Sequence, residues 1–206
     1  MENTEKKTRI ITVGRRFGSG GRLIAKAVAE KLGIPFFDKD IITNAAKESG
    51  LCDSFIEEFE QTPAQSMLFS LVMNMRNSQS YADKPVMLMA YEAQIEAVCR
   101  AAAGGECVIV GRCADYILRD DYDVASFFIT ASLDRRAQNV AKRENITVKE
   151  ALTKINKMDR ARASFHNYHA ETRWGSSDSY EMCISTDRIT DEQAAQQIIS
   201  YLEMRK

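Results

Sequence analysis

The sequence predicts an α/β fold, with a parallel sheet covered by helices on both faces. Three observations predict it. Cys107, Val108, Ile109 and Val110 form an unbroken apolar run, and a second run spans residues 124–129. Such near-continuous runs suit strands buried on both sides. Helical patterns lie between the strands, as crossover connections require. A glycine-rich stretch, Gly14-Arg15-Arg16-Phe17-Gly18-Ser19-Gly20-Gly21-Arg22, joins a β-branched strand to a helix.

That first strand is Arg9-Ile10-Ile11-Thr12-Val13. The helix after the loop carries Leu23, Ile24, Ala27, Val28 and Leu32 at helical spacing, and Gly33 and Pro35 end it. The loop between them suits phosphate. Glycine allows close backbone approach. The first helical N–H groups lack intrahelical partners, and the helix dipole adds positive potential there. Arg15, Arg16 and Arg22 add full charges. The P-loop pattern itself is not met. Gly21 stands where the lysine belongs, and Arg22 and Leu23 follow, so the hydroxyl is missing too. A tight strand–helix turn with incidental arginines is the simpler alternative.

Phe36-Phe37 reads as a second strand, followed by Asp38-Lys39-Asp40 and a helix over 41–49. An acidic residue at a strand's C-terminal edge is placed for ligand contact, and Asp38 is the choice here. Helix N-capping by Asp38 or Asp40 is the other reading. Residues 53–103 show no clear strand. Met67, Leu68, Leu71, Val72 and Met75 form a helical stripe, and a second helix runs over 85–103 to Gly104-Gly105. The methionines of this segment (Met67, Met73, Met75, Met87, Met89) suit core packing, with a movable substrate cover or a homo-oligomer interface as the sharper alternatives.

Beyond the strand at 107–110 comes Gly111-Arg112-Cys113-Ala114-Asp115. The strand at 124–129 leads into a helix with Arg135, Arg136 and Arg143. Thr147 and Glu150 form a capping box, and their helix, to about Phe165, carries Asp159, Arg160 and Arg162. The two arginines are two apart and do not share a face. His166 and His169 lack a third ligand at metal spacing, so ordinary hydrogen-bonded histidine is the expectation. Trp174-Gly175 precedes a last strand over 180–185. Thr190 and Gln193 cap a terminal helix with Ala194, Ile198, Ile199 and Leu202 inward.

The 206 residues carry a net charge of −1. General attraction to nucleic acid or anionic membrane is therefore not expected. Five cysteines without C-x-x-C spacing point to reduced thiols in a cytoplasmic protein. No apolar run is long enough to span a bilayer.

These residues together resemble the cytidylate kinase-like group of P-loop nucleoside monophosphate kinases. The resemblance is carried by residues 14–22, 34–40 and 108–115, the stretch around Asp159, Arg160 and Arg162, and Trp174-Gly175 with Tyr180. It implies a single three-layer domain with a parallel five-stranded sheet, a helical acceptor region (53–103) and a lid region (145–178). It implies ATP and Mg²⁺, and a nucleotide or other small acceptor. By position, Arg15, Gly18, Ser19, Gly20, Gly21 and Arg22 hold donor phosphates. Asp38, Arg112 and Asp115 face the acceptor. Arg160, Arg162 and Arg22 bear on the transferring group. Two departures stand out beside Gly21: Val110 and Cys113 replace aspartates of that group. They make a regulatory nucleotide sensor the competing expectation.

Overall fold

The computed structural model describes residues 7–40 and 86–205. The helices expected over 41–49 and 67–75, and most of the acceptor region, lie outside the described residues.

Five strands form one sheet in the order β2-β3-β1-β4-β5, every neighbouring pair parallel. They are β1 (Arg9–Arg15), β2 (Phe36–Phe37), β3 (Cys107–Ile109), β4 (Asp123–Thr130) and β5 (Met182–Ser185). β1 is central, with Ile11 opposite Val108 on one side and Ala125 on the other. Ile10, Ile11 and Val13 are fully buried, as a strand covered on both faces demands.

The helices are α1 (Gly21–Leu32), α2 (Val86–Ala103), the short α3 (Ala114–Ile117), α4 (Leu133–Glu144), α5 (Val148–His169) and α6 (Asp191–Met204). α1 and α6 cover one face, where Ile24, Val28, Ile198 and Leu202 meet Ile11, Val13 and Phe127. α2 and α3 cover the other, with Val98 and Leu118 against Ile10 and Ile109. α4 and α5 pair through Val140, Ala151 and Ile155 at the strands' C-terminal side.

Both expected capping boxes form. Thr147 accepts the Glu150 N–H, and Thr190 accepts that of Gln193, with each partner side chain returning to the cap backbone. One expected inward residue differs. Leu23 is 57% exposed, because α1 turns Ile24, Ala25, Val28 and Ala29 toward α6 and the sheet. The helix expected to end near Phe165 continues to His169. Among the described residues no helix is long and apolar enough to cross a membrane.

Candidate active site

Parallel strands deliver their C-terminal ends to one edge of the sheet, and ligand sites of such folds gather there. At this edge β1 runs into the glycine-rich loop and β3 into the turn at residues 111–113. β4 ends at Thr130, where α4 begins.

The loop is held from below. Arg16 N–H donates to the Ile129 carbonyl at 2.9 Å. Ser19 is 1% exposed, and its hydroxyl donates to the carbonyls of Arg16 and Ile129 at 2.9 and 3.1 Å. The Ser19 side chain thus ties the loop to the sheet. Gly18 and Gly20 have φ of 83° and 84°, which only glycine adopts readily. Gly20 precedes α1, and the helix's first N–H groups face outward at its end. Among the described residues, no hydrogen bond uses the N–H of Gly20, Gly21 or Arg22. They are available to an anion.

Gly14, the first glycine, makes room for an aromatic ring. A Cβ there would stand 2.7 Å from Phe128 Cδ2. Phe128 is packed edge-on by Trp174 at 5.3 Å and tilted against Tyr180 at 4.9 Å. Trp174 in turn lies under the Arg16 guanidinium at 5.4 Å. The segment after α5 is thereby docked over the loop.

A cleft opens between the ends of β1 and β3 and helix α5. Gly14, Arg15, Lys39, Gly111, Arg112 and Arg162 line its cationic side. Cys113, Asp115, Met158, Ala161, Phe165, His166, Trp174 and Tyr180 line the rest. Arg112 and Cys113 are presented by unusual backbone: φ is 75° at Gly111, 63° at Arg112 and 53° at Cys113. Non-glycine residues in that region cost on the order of 1–3 kcal/mol each and concentrate at ligand clamps.

Arg162 reaches inward. Its Nη1 donates to the Arg15 carbonyl at 3.1 Å, and its guanidinium lies over the Phe17 ring at 5.3 Å. Burial lowers its pKa to about 10, against the opposing pull of Asp159, with Arg112 and Arg143 adding repulsion. Arg160 is exposed and lies outside the cleft lining. Asp159, to which the sequence assigned no role of its own, accepts the Phe17 N–H and pairs with Arg136.

Asp38 and Arg22 meet each other rather than the cleft. Arg22 Nε donates to Asp38 Oδ2 at 2.7 Å, and Asp38 Oδ1 accepts the Asp40 N–H at 3.0 Å. The Asp38 carboxylate thus fills the capping role and the ion pair together, and neither residue lines the cleft. Asp115 does line it. Burial raises its carboxyl pKa, which His166 opposes; burial lowers that of His166, which Asp115 opposes. His166 Nδ1 lies 3.7 Å from Cys113 Sγ, and Nε2 is 2.9 Å from Thr172 Oγ1.

Magnesium, which the fold family implies, finds no evident ligand set at the loop. The Ser19 hydroxyl is turned into the sheet, Val110 is fully buried and apolar, and Asp38 is held by Arg22. Among the described residues no group of three His, Cys, Asp or Glu could hold a metal.

Comparison with known proteins agrees with this architecture. Residues 10–188 match the model of the cytidylate kinase-like family. The cytidylate kinase of Methanopyrus kandleri is 28% identical over 153 residues, covering 74% of this chain and 71% of its own. That of Methanobrevibacter smithii is 26% identical over 200 residues, covering 95% and 99%. A solved structure of an uncharacterized protein from Eubacterium ventriosum superposes with a TM-score of 0.72 at 30% identity, covering 95% of this chain and 99% of that one. Shikimate kinase from Acinetobacter baumannii shares the fold at a TM-score of 0.50 and 13% identity, covering 98% and 96%. With its three-layer P-loop kinase architecture, the chain belongs to the cytidylate kinase-like family.

Proposed function

We propose that the protein is a nucleotide kinase that moves the γ-phosphoryl group of ATP to a nucleoside monophosphate, CMP and dCMP being the first acceptors to test. The observation that carries this reading is the cleft. Arg15, Arg112 and Arg162 converge there with Lys39, and the Arg15 stem lies against Gly21, the residue that opens α1. Phosphoryl transfer needs in-line positioning and compensation of negative charge more than covalent chemistry. The loop amides would bind donor phosphates. The guanidinium groups would neutralise the donor and acceptor phosphates that meet in the cleft. The region over 145–178 serves as the lid, with Arg162 as its inward arginine. Trp174 and Tyr180 shield the reacting groups from water. Asp115 and His166, on the same cleft, would read the acceptor's uncharged end.

A second reading, a nucleotide-binding regulator without turnover, draws on Gly21 and on Val110. Incubation with ATP, Mg²⁺ and each nucleoside monophosphate, followed for ADP and the diphosphate product, distinguishes the two. Turnover with one acceptor class is expected. An ATP-induced rise in Tm without turnover on any acceptor favours the regulator. Neither turnover nor a shift removes both.

A further inference from the structure

We propose that Arg15 supplies the phosphate-binding charge that an ordinary P-loop draws from its lysine, through a side chain for which Gly21 and Gly111 both make room. The inference rests on the reading of the cleft as a phosphoryl-transfer site.

Gly21 is the first residue of α1 and stands at the lysine's position in the pattern. A Cβ added there would lie 2.6 Å from Arg15 Cβ and 3.2 Å from Arg15 Cγ. These atoms are the stem of the arginine, fixed to the end of β1, and not a tip that can swing away. Ile129 Cβ closes the other side at 3.1 Å. Residue 21 can therefore carry no side chain while Arg15 follows this path. At the far end of the same arginine, a Cβ on Gly111 would overlap Arg15 Nη1. The φ of 75° at Gly111 favours glycine independently.

The guanidinium so delivered lies on the cationic side of the cleft, with Arg112 and Arg162. Its backbone is fixed from above by the Arg162 hydrogen bond at 3.1 Å. The nearby carboxylate, Asp38, is engaged by Arg22. Burial, then repulsion from Arg162 and Arg112, holds the Arg15 pKa well below its ordinary value. A phosphoryl group entering the cleft relieves that repulsion. The planar fork also pairs in parallel with two oxygens of one phosphate, whereas a lysine acts as a compact point charge with three rotatable donors. The missing lysine is thus an exchange of position: charge from the strand end in place of charge from the helix start.

Titration calorimetry with ATP on the full chain tests this. Arg15→Gln keeps the bulk and removes the charge, and should weaken ATP binding by about 10- to 100-fold, the range of a hydrogen bond to a charged group. Gly21→Lys alone should give no gain in affinity and a lower Tm. Arg15→Gly combined with Gly21→Lys clears the stem and returns a lysine to the helix start. It should recover most of the affinity that Arg15→Gln loses. Unchanged affinity in Arg15→Gln, or tighter binding in Gly21→Lys with Arg15 present, overturns the inference while the kinase reading stands. If the double variant does not fold, Arg15→Gln decides alone. If the wild type binds no ATP, the underlying reading fails first and takes the inference with it.

Discussion

The Asp159 carboxylate in α5 accepts the backbone N–H of Phe17 in the glycine-rich loop at 2.8 Å, and its other oxygen accepts from Arg136 Nη1 at 2.7 Å. Asp159 and Arg136 side chains are only 12% and 7% exposed. Arg136 also donates to the carbonyls of Ala131 and Phe17. One buried pair therefore joins the loop, α4 and α5. Breaking such a pair from one side leaves the other charge buried and unpaired, at a cost of about 3–5 kcal/mol. Asp159→Ala should lower stability by that order, seen as a lower urea midpoint at unchanged slope. Asp159→Asn, which keeps an acceptor for Phe17, should lose less. Equal midpoints for wild type and Asp159→Ala would show that the pair contributes nothing net.

Arg160 and Arg162 give a matched test on one helix. Arg162 enters the cleft and Arg160 faces solvent. An arginine on the transferring group acts in the transition state and carries roughly 10³–10⁵-fold in rate in studied phosphoryl transfers. Arg162→Ala should lower kcat by orders of magnitude with a smaller change in ATP affinity. Arg160→Ala should stay near wild type. Steady-state kinetics with a confirmed acceptor measures both, and similar losses at the two positions would remove the assignment.

The four thiols among the described residues should react in the order of their exposure. Cys99 and Cys183 are exposed, whereas Cys107 and Cys113 are buried. Burial raises the Cys113 pKa, with Asp115 adding to the shift, and raises that of Cys107 to about 11. Both stay thiols at neutral pH, and the thiolate is the reactive form. Iodoacetamide should alkylate Cys99 and Cys183 before Cys107 and Cys113, as read by mass spectrometry. Early labelling of Cys113 in the native protein would contradict the packing of the cleft floor.

His169 predicts a pH dependence of stability. It stacks on Tyr91 at 3.7 Å, and burial lowers its pKa from 6.5 to about 4. The folded state holds the neutral ring, while the unfolded chain takes up a proton as pH falls through 6.5. The contribution is therefore complete above pH 6.5 and is lost as pH falls toward 4. The slope cannot exceed about 1.4 kcal/mol per pH unit for one proton. His169→Phe should flatten the curve between those values relative to wild type, in urea melts across that window. Parallel curves would show that His169 titrates normally in the fold.

Much of this protein was legible from spacing. The capping boxes at Thr147/Glu150 and Thr190/Gln193 could be read because each closes over three residues of chain. The strands at 9–13 and 107–110 could be read because continuous apolar runs suit a sheet buried on both faces. The phosphate-loop character followed from glycines at a strand–helix junction.

Among the described residues, the sequence by itself determined the five strands and the five long helices, though not the short α3, and where the glycine-rich loop stands between them. Tertiary structure alone decided which side chains meet at that loop. Phe17 and Asp159 are 142 residues apart, and no local pattern links them. Arg160 and Arg162 differ by two positions on a helix, and only the contact of α5 with the loop selects one. Asp38 is consumed by Arg22, a partner 16 residues away across a strand–helix unit. Gly21 reads as a lost lysine until the Arg15 stem is seen in the space its side chain would need. The reason is range: backbone periodicity and capping act over a few residues, whereas excluded volume and charge pairing act between whichever surfaces the fold brings together.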